Sequence, residues 1–147
     1  MNEACEPAGP VEGRATVRVR YPETDRMNVA YHAHYLVWFE IGRTELMRDL
    51  GCDYASLEER HGIFLPLREV GVRYHAPARY DDVLDVQTVL SSVGGASVRF
   101  DYVIVRRGDE RRLVTGFTEH AAVDRAGRPN RLPAELRGRL TPGTIRR

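Results

Sequence analysis

Over residues 15–21, ATVRVRY, β-branched and arginine side chains alternate with the period of two that marks a strand exposed on one face. Pro22, which has no N–H to give to a sheet, predicts its end. The stretch from Glu23 to Ala30, ETDRMNVA, is made of turn formers, and Asn28 is the residue in it that best tolerates a left-handed backbone. A helix is predicted from His32 to Leu50, with Gly51 suited to the left-handed position beyond the last turn. Its first half, Tyr35, Leu36, Val37, Trp38, Phe39 and Ile41, is apolar on almost every side, which predicts burial on most faces. A short helical piece is predicted over 53–61, followed by four strands over 63–75, 83–93, 97–107 and 112–123. Gly94-Gly95 and Gly108-Asp109 fall between the last three strands as two-residue hairpin turns, so those strands are antiparallel neighbours. Along 97–107, Val98, Phe100, Tyr102 and Ile104 share one face while Arg99 and Asp101 take the other. The fold class is therefore α+β, an antiparallel sheet of about five strands whose apolar face is covered by one long central helix.

Composition narrows the functions this fold can carry. A chain of 147 residues has room for one domain, and no apolar run approaches the roughly 18 residues of a membrane span. The organisation expected is a flexible N-terminal arm over 1–13, a folded domain over 14–124 and a basic, partly flexible tail over 125–147. The arm carries Glu3, Glu6 and Glu12 and lacks the basic start and apolar middle of a secretory signal, so a cytoplasmic location is expected. Cys5 and Cys52 cannot build a disulfide framework, and no Cys-x-x-Cys spacing is present. A net charge of +1 argues against a general nucleic-acid binder. All 22 basic residues are arginine, and the missing lysine excludes Schiff-base chemistry, pyridoxal phosphate attachment and a Walker A loop. Arginine instead serves carboxylates and phosphates, and seven of these residues lie between Arg125 and Arg147.

The string Tyr21-Pro22-Glu23-Thr24-Asp25-Arg26-Met27-Asn28-Val29-Ala30-Tyr31-His32-Ala33-His34-Tyr35, followed by Val37-Trp38-Phe39-Glu40, resembles the signature of hotdog-fold acyl-CoA thioesterases of the 4-hydroxybenzoyl-CoA thioesterase and YbgC type. Downstream, Tyr74-His75-Ala76-Pro77-Ala78-Arg79-Tyr80-Asp81-Asp82 is similar to the family's strand-turn-strand segment, and the resemblance spans about residues 17–123. It implies a sheet wrapped around one helix, assembly as a homodimer or homotetramer with sites at the subunit interface, and hydrolysis of an acyl-CoA thioester to free acid and CoA without a cofactor. By the same resemblance Asp25 is the catalytic carboxylate, as nucleophile or general base, and the backbone N–H of His32 is the oxyanion donor.

The residue types suit that chemistry. Thioester hydrolysis needs a carboxylate that attacks or activates water, and donors aimed at the oxygen that turns negative. The free N–H groups and partial positive charge at a helix start supply such donors near His32. The competing reading of Asp25 is a turn aspartate that caps a neighbouring N–H. Many relatives carry glycine where this chain has Met27-Asn28; Asn28 can adopt the same backbone, so the loop is expected to survive, with a bulkier side chain expected to narrow the acyl pocket. Tyr21 and Tyr31 flank the loop as further substrate-binding candidates, and Arg79 with the basic tail is a candidate for the CoA phosphates. His32 and His34, two apart on a helix, do not share a face, so no metal site is expected. Glu40 is expected to pair with Arg43 on the helix rather than act in catalysis. Alternative functions are a hotdog enoyl-thioester hydratase or dehydratase, whose Asp-x-Asn-x-x-His spacing Asp25, Asn28 and His32 do not match, and a non-catalytic acyl-thioester binding module. The acyl group, and CoA against acyl carrier protein as the thiol carrier, stay open.

Overall fold

The computed structural model of the chain describes residues 12–139, so most of the expected N-terminal arm and the end of the basic tail lie outside the described residues. Five strands form one antiparallel sheet in the order β1-β3-β4-β5-β2. They are β1 (Glu12–Arg18), β2 (Leu67–Tyr74), β3 (Val83–Val93), β4 (Ser97–Arg106) and β5 (Arg111–Ala121), and the helices are α1 (His34–Asp49), α2 (Tyr54–His61) and α3 (Ala134–Arg139). The first strand starts at Glu12 rather than Ala15 and stops at Arg18, so Glu12 and Gly13, assigned to the arm, pair with Val89 and Thr88. It stops early because the Glu23 carboxylate takes the Arg20 N–H at 2.8 Å and folds Tyr21–Glu23 into a 3-10 turn. The second strand begins at Leu67 rather than Ile63, since Pro66 offers no N–H and Phe64 makes only an isolated bridge to Val123.

Both hairpins are longer than two residues. Residues 94–96 join β3 to β4, closed by the Gly94 N–H on the Ser97 carbonyl at 2.8 Å. Residues 107–110 join β4 to β5, with positive φ at Gly108 and Glu110. Asp109 selects this longer loop: its carboxylate is gripped by the Arg106 guanidinium at 2.7 Å, also takes the Arg111 N–H at 3.2 Å, and is held down at about 2 chiefly by Arg106.

Helix α1 starts two residues after His32 and lies on β1, β3 and β4. Trp38, Phe39, Leu46 and Met47 are buried in the core, and Phe39 stacks on Tyr102 of β4 with ring centroids 4.2 Å apart. Gly42 allows the close approach: a Cβ there would stand 2.4 Å from Thr88 Oγ1 and 2.8 Å from Val86 Cγ1. The expectation of a helix buried on most faces fails, because the sheet covers one side only and Val37 and Ile41 remain 47% and 37% exposed. The expected Glu40–Arg43 pair is also not formed among the described residues. Glu40 is exposed, and the Arg43 charge instead lies by the hydroxyls of Tyr54 and Tyr102.

Helix α2 is capped by Asp53, whose carboxylate takes the Ser56 N–H, and closes on Gly62 at φ +61°. It carries Leu57 into the core. Beyond β5 the chain stays attached: the Asn130 N–H reaches the Ala122 carbonyl, the Leu132 N–H reaches the Gly95 carbonyl, and the Leu132 side chain is buried. Within the core, the buried His120 ring bridges the Leu65 carbonyl at 3.0 Å and Thr118 Oγ1 at 2.9 Å, and Tyr102 meets the same Thr118 oxygen at 2.6 Å.

Candidate active site

The segment between β1 and α1 is a loop held at both ends. The Val19 N–H and carbonyl pair with Asp82 and Asp81, the Ala30 N–H with the Ala78 carbonyl, and the Tyr31 N–H with the Glu23 carbonyl at 2.9 Å. Glu23 is only 5% exposed, so a carboxylate that the sequence reading passed over anchors the base of the loop. The available signal is the spacing Arg20-x-x-Glu23, an acid three residues after a chain reversal begins.

Within the loop, Thr24 bridges to Ala30, the Asp25 N–H reaches the Val29 carbonyl at 2.9 Å, and the Asn28 N–H reaches the Asp25 carbonyl at 3.0 Å. Asn28 takes φ +62°, the left-handed conformation that the turn requires. The Asp25 side chain is half-buried. Its Oδ1 accepts the Met27 N–H at 2.8 Å, and Oδ2 has no partner among the described residues. One carboxylate oxygen therefore shapes the turn and the other is open.

Eight residues on from Asp25, Ala33 stands at the cap position just before α1 and offers no side-chain cap. The His34 N–H closes on the Tyr31 carbonyl at 3.0 Å, whereas the N–H groups of His32 and Ala33 have no acceptor among the described residues. Two free donors thus sit at the positive end of a 16-residue helix. Beside the first of them, on His32, opens a cleft of about 300 Å³. Its walls are Val29, Ala30 and His32 from the loop, Tyr35 from α1, and Tyr74, His75 and Pro77 from the end of β2 and the turn after it.

The other predicted site residues divide. Asp25 does not line this cleft but lies on the adjoining turn, close enough that its charge adds to the upward shift of the Tyr35 hydroxyl, of which burial is the main cause. Tyr31 packs its ring on His32 at 4.3 Å, and Asn28 is exposed at the turn. Tyr21 stands outside the cleft, edge-on to Tyr80 at 5.9 Å. Arg79 is exposed, held through its backbone N–H on the Asp82 carboxylate at 2.8 Å, and its guanidinium makes no ion pair among the described residues. Sequence reasoning does not single out Tyr35, Tyr74 or His75 as site residues. Tyr35 gives its hydroxyl oxygen to the Ala78 N–H at 3.0 Å, and the Tyr74 hydroxyl donates to the His32 carbonyl at 2.8 Å. Among the described residues no group of three His, Cys, Asp or Glu side chains could hold a metal ion, and no helix is long and apolar enough to cross a membrane.

A family model described as the Thioesterase-like superfamily matches residues 19–140. The YneP protein of Bacillus subtilis is 35% identical over 109 residues, 74% of this chain and 78% of its own length. The acyl-CoA thioester hydrolase YbgC of Escherichia coli O157:H7 is 40% identical over 92 residues, 63% of this chain and 68% of its own. The crystal structure of a DHNA-CoA thioesterase from Staphylococcus aureus superposes with a TM-score of 0.78 at 30% identity, covering 82% of this chain and 80% of that one. With the family model matching most of its length, the chain belongs to the Thioesterase-like superfamily.

Proposed function

We propose that this protein hydrolyses an acyl-CoA thioester to the free acid and CoA, with Asp25 as the catalytic carboxylate and the N–H groups of His32 and Ala33 as the oxyanion donors. The observation that carries the reading is the pair of unpartnered N–H groups at the uncapped start of α1, one of them on the cleft residue His32, lying next to a carboxylate with one free oxygen. The thioester carbonyl enters the cleft with its oxygen toward those donors. Asp25 takes a proton from water as the water oxygen bonds to the acyl carbon, and the carbonyl oxygen becomes negative where the N–H groups meet it. Collapse breaks the C–S bond, and the thiolate leaves with the proton that Asp25 held. In the variant of direct attack, an Asp25 oxygen bonds to the acyl carbon, the thiolate leaves, and water hydrolyses the resulting anhydride. Both routes depend on Asp25.

The binding assignments follow the same surface. Tyr31, packed on the cleft residue His32, and Asn28 on the adjoining turn are assigned to the acyl entrance, Tyr21, outside the cleft beside Tyr80, to its outer rim, and the unpaired guanidinium of Arg79 to a phosphate of CoA. In this reading α1 is the central helix of a hotdog fold. The exposed Val37 and Ile41 on α1, with Leu67 and Val70 on the edge strand β2, support assembly as a homodimer or homotetramer.

The test is release of free thiol from a panel of acyl-CoAs by wild type and Asp25→Asn. Loss of a positioned acid or base should lower kcat by at least about 10²-fold while the circular dichroism spectrum is unchanged. A folded Asp25→Asn protein with near-normal turnover would remove Asp25 from the mechanism, and a wild type that releases no thiol from any member would remove the activity.

A further inference from the structure

We propose that Tyr74 is a positioning residue for this reaction: its hydroxyl, donated to the His32 carbonyl oxygen, locks the turn that carries the unpartnered N–H groups of His32, a cleft residue, and of Ala33 beside it. The inference rests on the reading of those N–H groups as oxyanion donors and deepens it.

Two peptide planes decide where these donors point. The His32 N–H belongs to the Tyr31–His32 peptide, and the Ala33 N–H to the His32–Ala33 peptide. In a trans peptide the C=O and N–H point opposite ways, so fixing the carbonyl fixes the donor. The first plane is fixed locally, because the Tyr31 carbonyl accepts the His34 N–H at 3.0 Å. The second precedes the first regular turn of α1, where no side-chain cap holds it. Its carbonyl accepts one hydrogen bond, 2.8 Å from the Tyr74 hydroxyl. This is the one side-chain hydrogen bond to residues 31–34 among the described residues.

The lock comes from a rigid place. Tyr74 is the last residue of β2, in register with Val114 of β5, and the next N–H, that of His75, reaches the Leu113 carbonyl at 2.8 Å. Its ring stands edge-on to Tyr35 at 5.3 Å, and the buried Tyr35 hydroxyl is itself held by the Ala78 N–H. The Tyr74 residue is 48% exposed, and the partial desolvation of its hydroxyl pushes it upward from its ordinary range. The sheet thus sets the angle of a donor on a separate element, and a small rotation of that donor matters because transition-state hydrogen bonds are steep in geometry.

The experiment compares wild type with Tyr74→Phe, which keeps the ring against Tyr35 and removes only the donor. Three quantities are read: kcat and KM for an acyl-CoA, the thermal midpoint, and amide hydrogen exchange at His34, whose N–H closes the turn. Loss of one net hydrogen bond predicts a kcat lower by about 5- to 10-fold, KM within about twofold, a midpoint within about 3 °C and His34 exchange faster by about fivefold. Unchanged kcat, a change confined to KM, or a kcat loss matched by a large fall in the midpoint would overturn the assignment. If wild type itself releases no thiol, the functional reading fails separately, and His34 exchange still decides the lock: faster exchange in Tyr74→Phe supports it and unchanged exchange overturns it.

Discussion

Replacing Gly42 by alanine adds one methyl group at the tightest contact between α1 and the sheet. The new Cβ would stand 2.4 Å from Thr88 Oγ1 and 2.8 Å from Val86 Cγ1, both inside the distance that carbon and oxygen atoms tolerate. Neither neighbour can yield easily. Thr88 and Val86 are β-branched, stiff at χ1, and fully buried on β3 between β1 and β4. Helix α1 must therefore move away from β3, which opens the stack of Phe39 on Tyr102. Overpacking of this kind costs about 1–3 kcal/mol, and the better helix propensity of alanine returns about 1 kcal/mol. The net loss is at most about 2 kcal/mol, or up to roughly 8 °C in the thermal midpoint of a domain of this size.

Thr88 supplies the control. Its hydroxyl is buried without a hydrogen-bond partner among the described residues, so Thr88→Ala removes an unsatisfied group at little cost and frees the space that the added methyl group would need. The double variant Gly42→Ala/Thr88→Ala should be more stable than Gly42→Ala alone, with a coupling of about 1 kcal/mol in a urea-unfolding cycle. Strictly additive effects in the cycle would refute the steric account.

Local patterns carried much of this fold into view. The alternation of Val98, Phe100, Tyr102 and Ile104 identifies the face of β4 that is buried, and Asn28 adopts the left-handed backbone that its residue type tolerates. What failed depends on atoms distant in sequence. The length of the second hairpin is set by the Arg106–Asp109 pair, not by the Gly108-Asp109 step, and the exposure of Val37 and Ile41 depends on where a one-sided sheet ends. The site divides in the same way. Asp25 and His32 sit on one loop and could be read from one continuous motif. The cleft walls come from three separate elements, and neither a tyrosine in an apolar helix nor one at a strand end marks itself as a wall. Glu23 escapes notice because burial of a carboxylate becomes intelligible only once its bond to the Arg20 N–H is seen.

Two further predictions concern charge. Arg79→Ala should raise KM for an acyl-CoA by about two- to fivefold at low salt and leave kcat unchanged, and the difference should shrink once the screening length falls below about 8 Å. A short acyl thioester without phosphates serves as the comparison, and equal losses on both substrates would make Arg79 structural. The last prediction concerns His120, which is buried and pushed below the ordinary imidazole range mainly by that burial, with the Arg43 charge acting in the same direction and the Leu65 carbonyl opposing. Above about pH 6.5 the ring is neutral in both the folded and the unfolded chain, so it contributes no pH dependence there. As pH falls below that value the unfolded chain binds a proton that the folded chain refuses, and folding stability declines at up to about 1.4 kcal/mol per pH unit until the folded pKa is reached. The Asp109 carboxyl, at about 2, loses its stabilising charge only at lower pH, so the two windows separate. Urea unfolding between pH 7.5 and 5 should show this decline in wild type and a flatter profile in His120→Gln, whose neutral amide can still bridge the Leu65 carbonyl and Thr118. Identical slopes in the two proteins would mean that the acid sensitivity lies elsewhere and that the buried imidazole protonates without cost to the fold.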